Sequence, residues 1–224
     1  MSRQNLHHVY DATDALLRTV DGLTPEQFAA PSLLPGWSRA HVVAHLALNA
    51  LGFGRAIEGV RHRRPVAVYA SPEQRDADID ESARLGVDAL REFLFDACGR
   101  WRDLTEDITD WNGTFERTPG GPTLTVEQAV GARWREVEIH HADLDAGFRP
   151  ADWSPAFAAF VFENVVGFRD DQVDLTLETP EGTVLLGAGG TPIRGTRHDL
   201  AWWMLGRGSG EGLEGDLPTL GPWR

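Results

Sequence analysis

The sequence predicts an α+β chain: a four-helix bundle over residues 1–150, followed by a small α/β unit over residues 151–224. Three observations carry this. Four long amphipathic stretches, each with its own start signal, fill the first part. After Gly147 the pattern changes, and VDLTLETPEGTVLLGAG alternates as two strands around a Pro-Glu-Gly turn. A chain of 224 residues can also bury a sizeable core as one large domain or two modest ones.

The first helix runs from about Asn5 to Val20, with Leu6, Val9, Tyr10, Thr13, Leu16, Leu17 and Val20 on a helical period. Asp21-Gly22 ends it. Thr24-Pro25-Glu26-Gln27 opens a short helix with proline at its first position. PSLLPGW is a punctuated loop. Ser38 is placed to cap a second long helix, about Arg39 to Val60, and RHRRP is the solvated connection after it. Ser71-Pro72-Glu73-Gln74 starts a third helix, unbroken or interrupted, reaching about Glu106. Its apolar face is Leu85, Leu90, Phe93, Leu94, Ala97, Trp101 and Leu104. Thr109 to Thr123 reads as a turn-rich connection containing TPGGP.

The fourth helix, Thr125 to Gly147, is the most informative. TVEQ is a capping box in which Gln128 reaches back to Thr125, and Gly147 supplies a left-handed stop. In the second unit, residues 153–168 read as an apolar helix, and DLAWWMLGR as a helix before a glycine-rich turn and the LPTLGPWR tail. GAGGTP at 187–192 has Pro192 where a dinucleotide fingerprint needs its last glycine, so it reads as a hairpin end.

A balance of 21 Lys+Arg against 34 Asp+Glu, net −13, argues against nucleic acid or an anionic membrane as partner. It leaves room for a small anionic or electrophilic substrate in a local pocket. The eight tryptophans read as core and interdomain packing rather than as a base-stacking platform. No apolar run is long enough to span a membrane, and the N-terminus lacks the apolar segment of a signal peptide. The expected location is cytoplasmic, and the expected state a monomer or weak homodimer. With one cysteine, Cys98, there is no intrachain disulfide and no thiolate-rich metal site. A buried position on a helix is its expected role.

Glu136 and His140 lie four residues apart, on one face of the fourth helix, one turn above the other. A carboxylate and an imidazole so placed are two parts of a three-ligand zinc site. His45, on the second helix, is the best third ligand, and ligands from facing helices can converge inside a bundle. The His/Glu/His set suits zinc or another divalent ion. Spacing alone leaves other assignments open. His41 is one turn from His45, and His141 adjoins His140. Glu136 could pair with Arg133 on its own helix. Glu138 faces elsewhere. Asp143 falls on the ligand stripe, either to orient His140 or as a solvated aspartate near a helix end.

PGWSRAHVVAHLALNA, TPGGPTLT, RWREVEIHHADLDAG, LAWWMLGR and the LP-x-L-x-P-W tail together resemble the mycothiol-dependent maleylpyruvate isomerase family, in order and over nearly the whole chain. The resemblance implies a DinB-like metal-binding bundle and an SCP2-like C-terminal domain. It implies His45, Glu136 and His140 as the zinc ligands. It also implies that Arg75 in RDADI and Arg207 in LGR hold substrate carboxylates; without it they read as a surface arginine and a helix C-terminal cation. The implied cofactor is mycothiol, a small thiol of actinobacteria, whose sulfur takes the open zinc position as a thiolate. Its reversible addition to maleylpyruvate would let the cis double bond rotate to give fumarylpyruvate. Two further readings keep the scaffold: a mycothiol S-transferase acting on another electrophile, and a non-enzymatic metal-stabilised binding module.

Overall fold

In the computed structural model residues 2–223 are described, with side chains from Leu6 onward. They form two compact units, Met1–Gly147 and Phe148–Arg224. The organisation is α+β, with the long helices gathered in the first unit.

The first unit holds α1 (Ser2–Asp21), α2 (Pro25–Ala29), α3 (Arg39–Arg61), α4 (Pro72–Ser82), α5 (Val87–Glu106), β1 (Thr114–Glu116), β2 (Thr123–Thr125) and α6 (Val126–Asp143). Helix α3 packs chiefly on α5, α1 on α6, and α3 also meets α6. That last contact faces the second and fourth long helices of the sequence towards each other. The core comes from the expected stripes, including Val9, Leu16 and Val20 of α1 and Leu90, Leu94 and Trp101 of α5.

The third helix is interrupted. Residues 83–86 form a turn, with Leu85 N–H bonded to Ser82 O and Gly86 at the start of α5. Only Ile79 of α4 is buried, so α4 has too little apolar surface to continue the long face of α5. The connection from Thr109 to Thr123 contains an antiparallel hairpin, β1 on β2. Strands of three residues are too short to show a period of two, which is why only the turn was legible.

Glycines in α3 bring the following segment against the helix. A Cβ on Gly52 would lie 2.8 Å from Val68 Cγ1 and 2.9 Å from Val68 O. Val68 is wholly buried, and the Val68 and Tyr69 N–H groups bond Glu116 O and Arg117 O at 3.1 and 3.0 Å. Residues 68–69 are thereby fixed between α3 and β1.

The capping box of α6 is complete, Gln128 N–H to Thr125 Oγ1 at 3.1 Å and Thr125 N–H to Gln128 Oε1 at 2.9 Å. The stop differs from expectation. The helix ends at Asp143 and the backbone turns left-handed first at Asp145 (φ 52°), with Gly147 (φ 98°) further out. Arg39 of α3 accounts for the early turn: its guanidinium donates to Leu144 O at 2.5 Å and Asp145 O at 2.7 Å, satisfying terminal carbonyls that a glycine motif would otherwise serve. Aspartate tolerates this backbone region better than most side chains.

Arg133 on α6 does not pair with Glu136. It is 1% exposed and donates to Leu46 O (2.9 Å), Asn49 Oδ1 (2.8 Å) and Cys98 Sγ (3.4 Å). Cys98 is buried, as expected, and burial pushes its thiol pKa up.

In the second unit a 3₁₀ turn (Pro150–Asp152) leads to α7 (Pro155–Arg169), then β3 (Leu175–Thr179), β4 (Gly182–Leu186), β5 (Thr191–Arg194) and α8 (Arg197–Met204). Strands β3 and β4 form the expected hairpin. GAGGTP is the link from β4 into β5, a third strand that pairs parallel with β3. Pro192 is accommodated because β5 is an edge strand in the order β4-β3-β5. Buried Arg169 of α7 closes the end of α8 by donating to Met204 O at 2.8 and 3.1 Å. Among the described residues no helix is long and apolar enough to cross a membrane.

Candidate metal centre

His45 of α3 meets Glu136 and His140 of α6. The His45 Nε2 to Glu136 Oε2 distance is 2.8 Å, and His140 Nε2 lies 3.3 Å from the same oxygen. The two imidazoles are edge to face, 4.7 Å between centroids. One ligand atom from each residue falls within 4.8 Å of the others. Ligands about 2.1 Å from a tetrahedral ion lie roughly 3.4 Å apart, so the three groups are already spaced for one. Two imidazoles and a carboxylate suit zinc and other divalent ions, and three protein ligands leave a coordination position open.

The surroundings fix the ring orientations. His140 Nδ1 bonds Asp143 Oδ2 at 2.9 Å, which leaves Nε2 facing Glu136. His45 Nδ1 lies 3.2 Å from Arg75 NH2. A guanidinium only donates, so His45 Nδ1 accepts and, in the metal-free protein, its proton sits on Nε2 towards Glu136. Arg75 NH1 also pairs with Asp76 at 2.6 Å, while its Nε is buried with no partner among the described residues.

The electrostatics separate the two histidines. Burial pushes His45 down to about 4, against the pull of Glu136, so it is neutral at pH 7. Burial also opposes charge on His140, but hydrogen bonds to Asp143 and Glu136 outweigh it and raise the group to about 9. Burial would raise Glu136 as well. The two imidazoles more than offset this and hold its carboxyl well below the usual range. At neutral pH the charged pair is therefore Glu136 with His140. Glu138 is buried away from the cluster, and burial pushes it up to about 7.

The two other histidines weighed as ligands, His141 and His41, go elsewhere. His141 Nε2 meets Thr19 Oγ1 at 2.7 Å and ties α6 to α1. His41 Nδ1 is held by Ser38 Oγ at 2.7 Å. Arg207 follows α8 in the second unit, half-buried, with NH1 donating to Leu205 O at 3.0 Å.

Residues 9–145 match the family model of the mycothiol maleylpyruvate isomerase N-terminal domain. The chain belongs to this family. Two crystal structures of mycothiol-dependent maleylpyruvate isomerase, one of them a histidine-to-alanine mutant, each superpose with a TM-score of 0.90 at 23% identity, covering 98% of this chain and 96% of theirs. YfiT from Bacillus subtilis, described as a probable metal-dependent hydrolase with an unusual four-helix bundle topology, superposes with a TM-score of 0.55 at 20% identity, over 69% of this chain and 91% of its own. These likenesses are of fold. No curated protein matches significantly. Membership of the family agrees with the resemblance read from the sequence blocks.

Near the centre, the sequence reading left Asn49 and Arg133 without their observed partners and did not single out Tyr69. Tyr69, Asn49 and Arg133 form a chain of contacts beginning one turn from His45. Asn49 shares the His45 stripe of α3, a signal that was legible. Tyr69 comes from the connection after α3, and only the packing at Gly52 brings it in.

Proposed function

We propose that this chain catalyses the cis–trans isomerisation of maleylpyruvate to fumarylpyruvate, with mycothiol as cofactor and a divalent ion, zinc foremost, held by His45, Glu136 and His140. The observation that carries the reading is the convergence of these three side chains from two helices within a chain of this family. A bound ion of this kind would keep the cofactor's sulfur as a thiolate at neutral pH, so no protein base is needed to form the nucleophile.

The chain's own residues do the rest. Asp143 holds His140 so that Nε2 faces the ion. Glu136 offsets its charge. Arg75, whose buried Nε has no partner among the described residues, binds a substrate carboxylate. In this reading residues 1–150 are the metal-binding domain and residues 151–224 an SCP2-like domain, working in the cytoplasm.

The test has two parts. His45→Ala and His140→Ala should each lose most bound metal while helical circular dichroism is retained. Full occupancy in either variant means the ligands are misassigned. Wild-type protein with zinc and mycothiol should bleach the maleylpyruvate chromophore. No turnover there, together with conjugation of a general electrophile, would replace the isomerase by an S-transferase.

A further inference from the structure

Asn49 lies four residues after His45 on α3, and its amide has a fixed polarity. Arg133 donates to Asn49 Oδ1 at 2.8 Å, and a guanidinium cannot accept. The Asn49 Nδ2 is therefore the atom that meets Tyr69, donating to the phenol oxygen at 3.1 Å. The Tyr69 oxygen accepts this bond, so its own hydrogen points elsewhere. Among the described residues it finds no acceptor. Tyr69 lines a cavity of about 220 Å³ with Leu48, Arg55, Gln74, Arg75 and Asp78. The Arg75 guanidinium stands 5.7 Å from the Tyr69 ring centre, and its NH2 reaches His45 Nδ1 at 3.2 Å. Burial, with Glu136 nearby, raises the phenol pKa, so the group stays a protonated donor at neutral pH.

We propose that Tyr69 donates a hydrogen bond to the substrate's carbonyl oxygen, held in that polarity by Arg133 acting through Asn49. This rests on the reaction proposed above. When the substrate's double bond takes up sulfur at one carbon, its π pair moves through the conjugated system onto the carbonyl oxygen. Tyr69 donates to that oxygen and keeps its proton. When the carbon–sulfur bond breaks, the pair returns to the double bond, so no proton is exchanged with the protein. A donor fixed in advance and aimed at developing charge favours the addition more than it favours ground-state binding. Tyr69 is the catalytic group, and Asn49 and Arg133 position it.

The discriminating variant is Asn49→Asp. It keeps an acceptor for Arg133 but replaces the amide donor by a carboxylate, which would itself take the Tyr69 hydrogen. Asn49→Asp and Tyr69→Phe should each lower kcat about 100-fold, with KM within roughly threefold and metal content unchanged. Retention of kcat within twofold in both overturns the proposal. A second readout needs no turnover. The chain has two tyrosines, so ¹³Cζ-labelled protein gives two phenol signals, and Tyr69→Phe removes one. That signal should move downfield in Asn49→Asp as the phenol becomes a donor to a carboxylate. An unmoved signal means Asn49 does not set the polarity, and the proposal fails. Should wild-type protein leave maleylpyruvate unconverted, the proposed reaction fails, while the ¹³C shift still decides the Asn49–Tyr69 relation.

Discussion

His140 and Asp143 lie one turn apart on α6 and are joined by a 2.9 Å bond from Nδ1 to a carboxylate that is wholly buried. The bond fixes the ring and raises the basicity of the nitrogen facing Glu136. Asp143→Asn should weaken zinc affinity roughly 10- to 100-fold, as losses of such outer partners do. Chelator competition measures it, and an unchanged constant would remove Asp143 from the site.

Metal affinity should depend on pH in a defined window. His140, raised to about 9, is protonated at pH 7, and a metal must displace that proton. His45, pushed down to about 4, has none to lose above pH 5 or so. The apparent association constant should rise about tenfold per pH unit from roughly pH 5 to 9 and then level off. The metal-free protein should behave in the opposite sense. The raised His140 stabilises the fold fully below its unfolded value of 6.5, and that contribution is lost as pH rises through about 9. Melting curves of the chelated protein should therefore fall over that interval. A flat affinity profile would show that His140 is neutral before metal arrives.

Arg75 donates to His45 Nδ1, which holds the proton on the nitrogen that a metal would need. Arg75→Ala should tighten zinc binding about twofold to tenfold, the scale of one hydrogen bond, and at the same time raise KM for a carboxylate substrate. Competition titration and steady-state kinetics read the two effects separately. Weaker metal binding in this variant would contradict the assigned proton position.

Gly52 should tolerate no side chain. The added methyl of Gly52→Ala would press on Val68 Cγ1 and the Val68 carbonyl, at 2.8 and 2.9 Å. Backbone on one side and helix on the other leave little room to give. A loss of about 1–3 kcal/mol is expected from denaturant melts, with a larger fall in turnover because Tyr69 follows Val68. Wild-type stability would show that the segment is not clamped there.

What could be read from the sequence followed from periodicity and spacing. The stripes of α1, α3, α5 and α6 are long enough to declare themselves, and Glu136–His140 carries its own geometry. The end of α6 was misread because Arg39, more than 100 positions away in sequence, satisfies its last carbonyls. The β1–β2 hairpin and β5 were missed because such short strands show little alternation, and β5 pairs directly with β3 although β4 lies between them in sequence. A pairing of Arg133 with Glu136 stayed open as one alternative because helical spacing cannot say which face meets the core. Tyr69 depends on a backbone contact at Gly52, and no local pattern encodes that.

Cys98, the chain's single thiol, lies 4% exposed beneath Arg133. Under the function proposed above, the protein also meets the oxidised, disulfide form of its thiol cofactor. Exchange with a disulfide requires an accessible sulfur on the protein, and the folded chain offers none. Oxidative stress should therefore drain the cofactor pool without capturing the protein as a mixed disulfide, and activity should return as soon as the thiol is reduced.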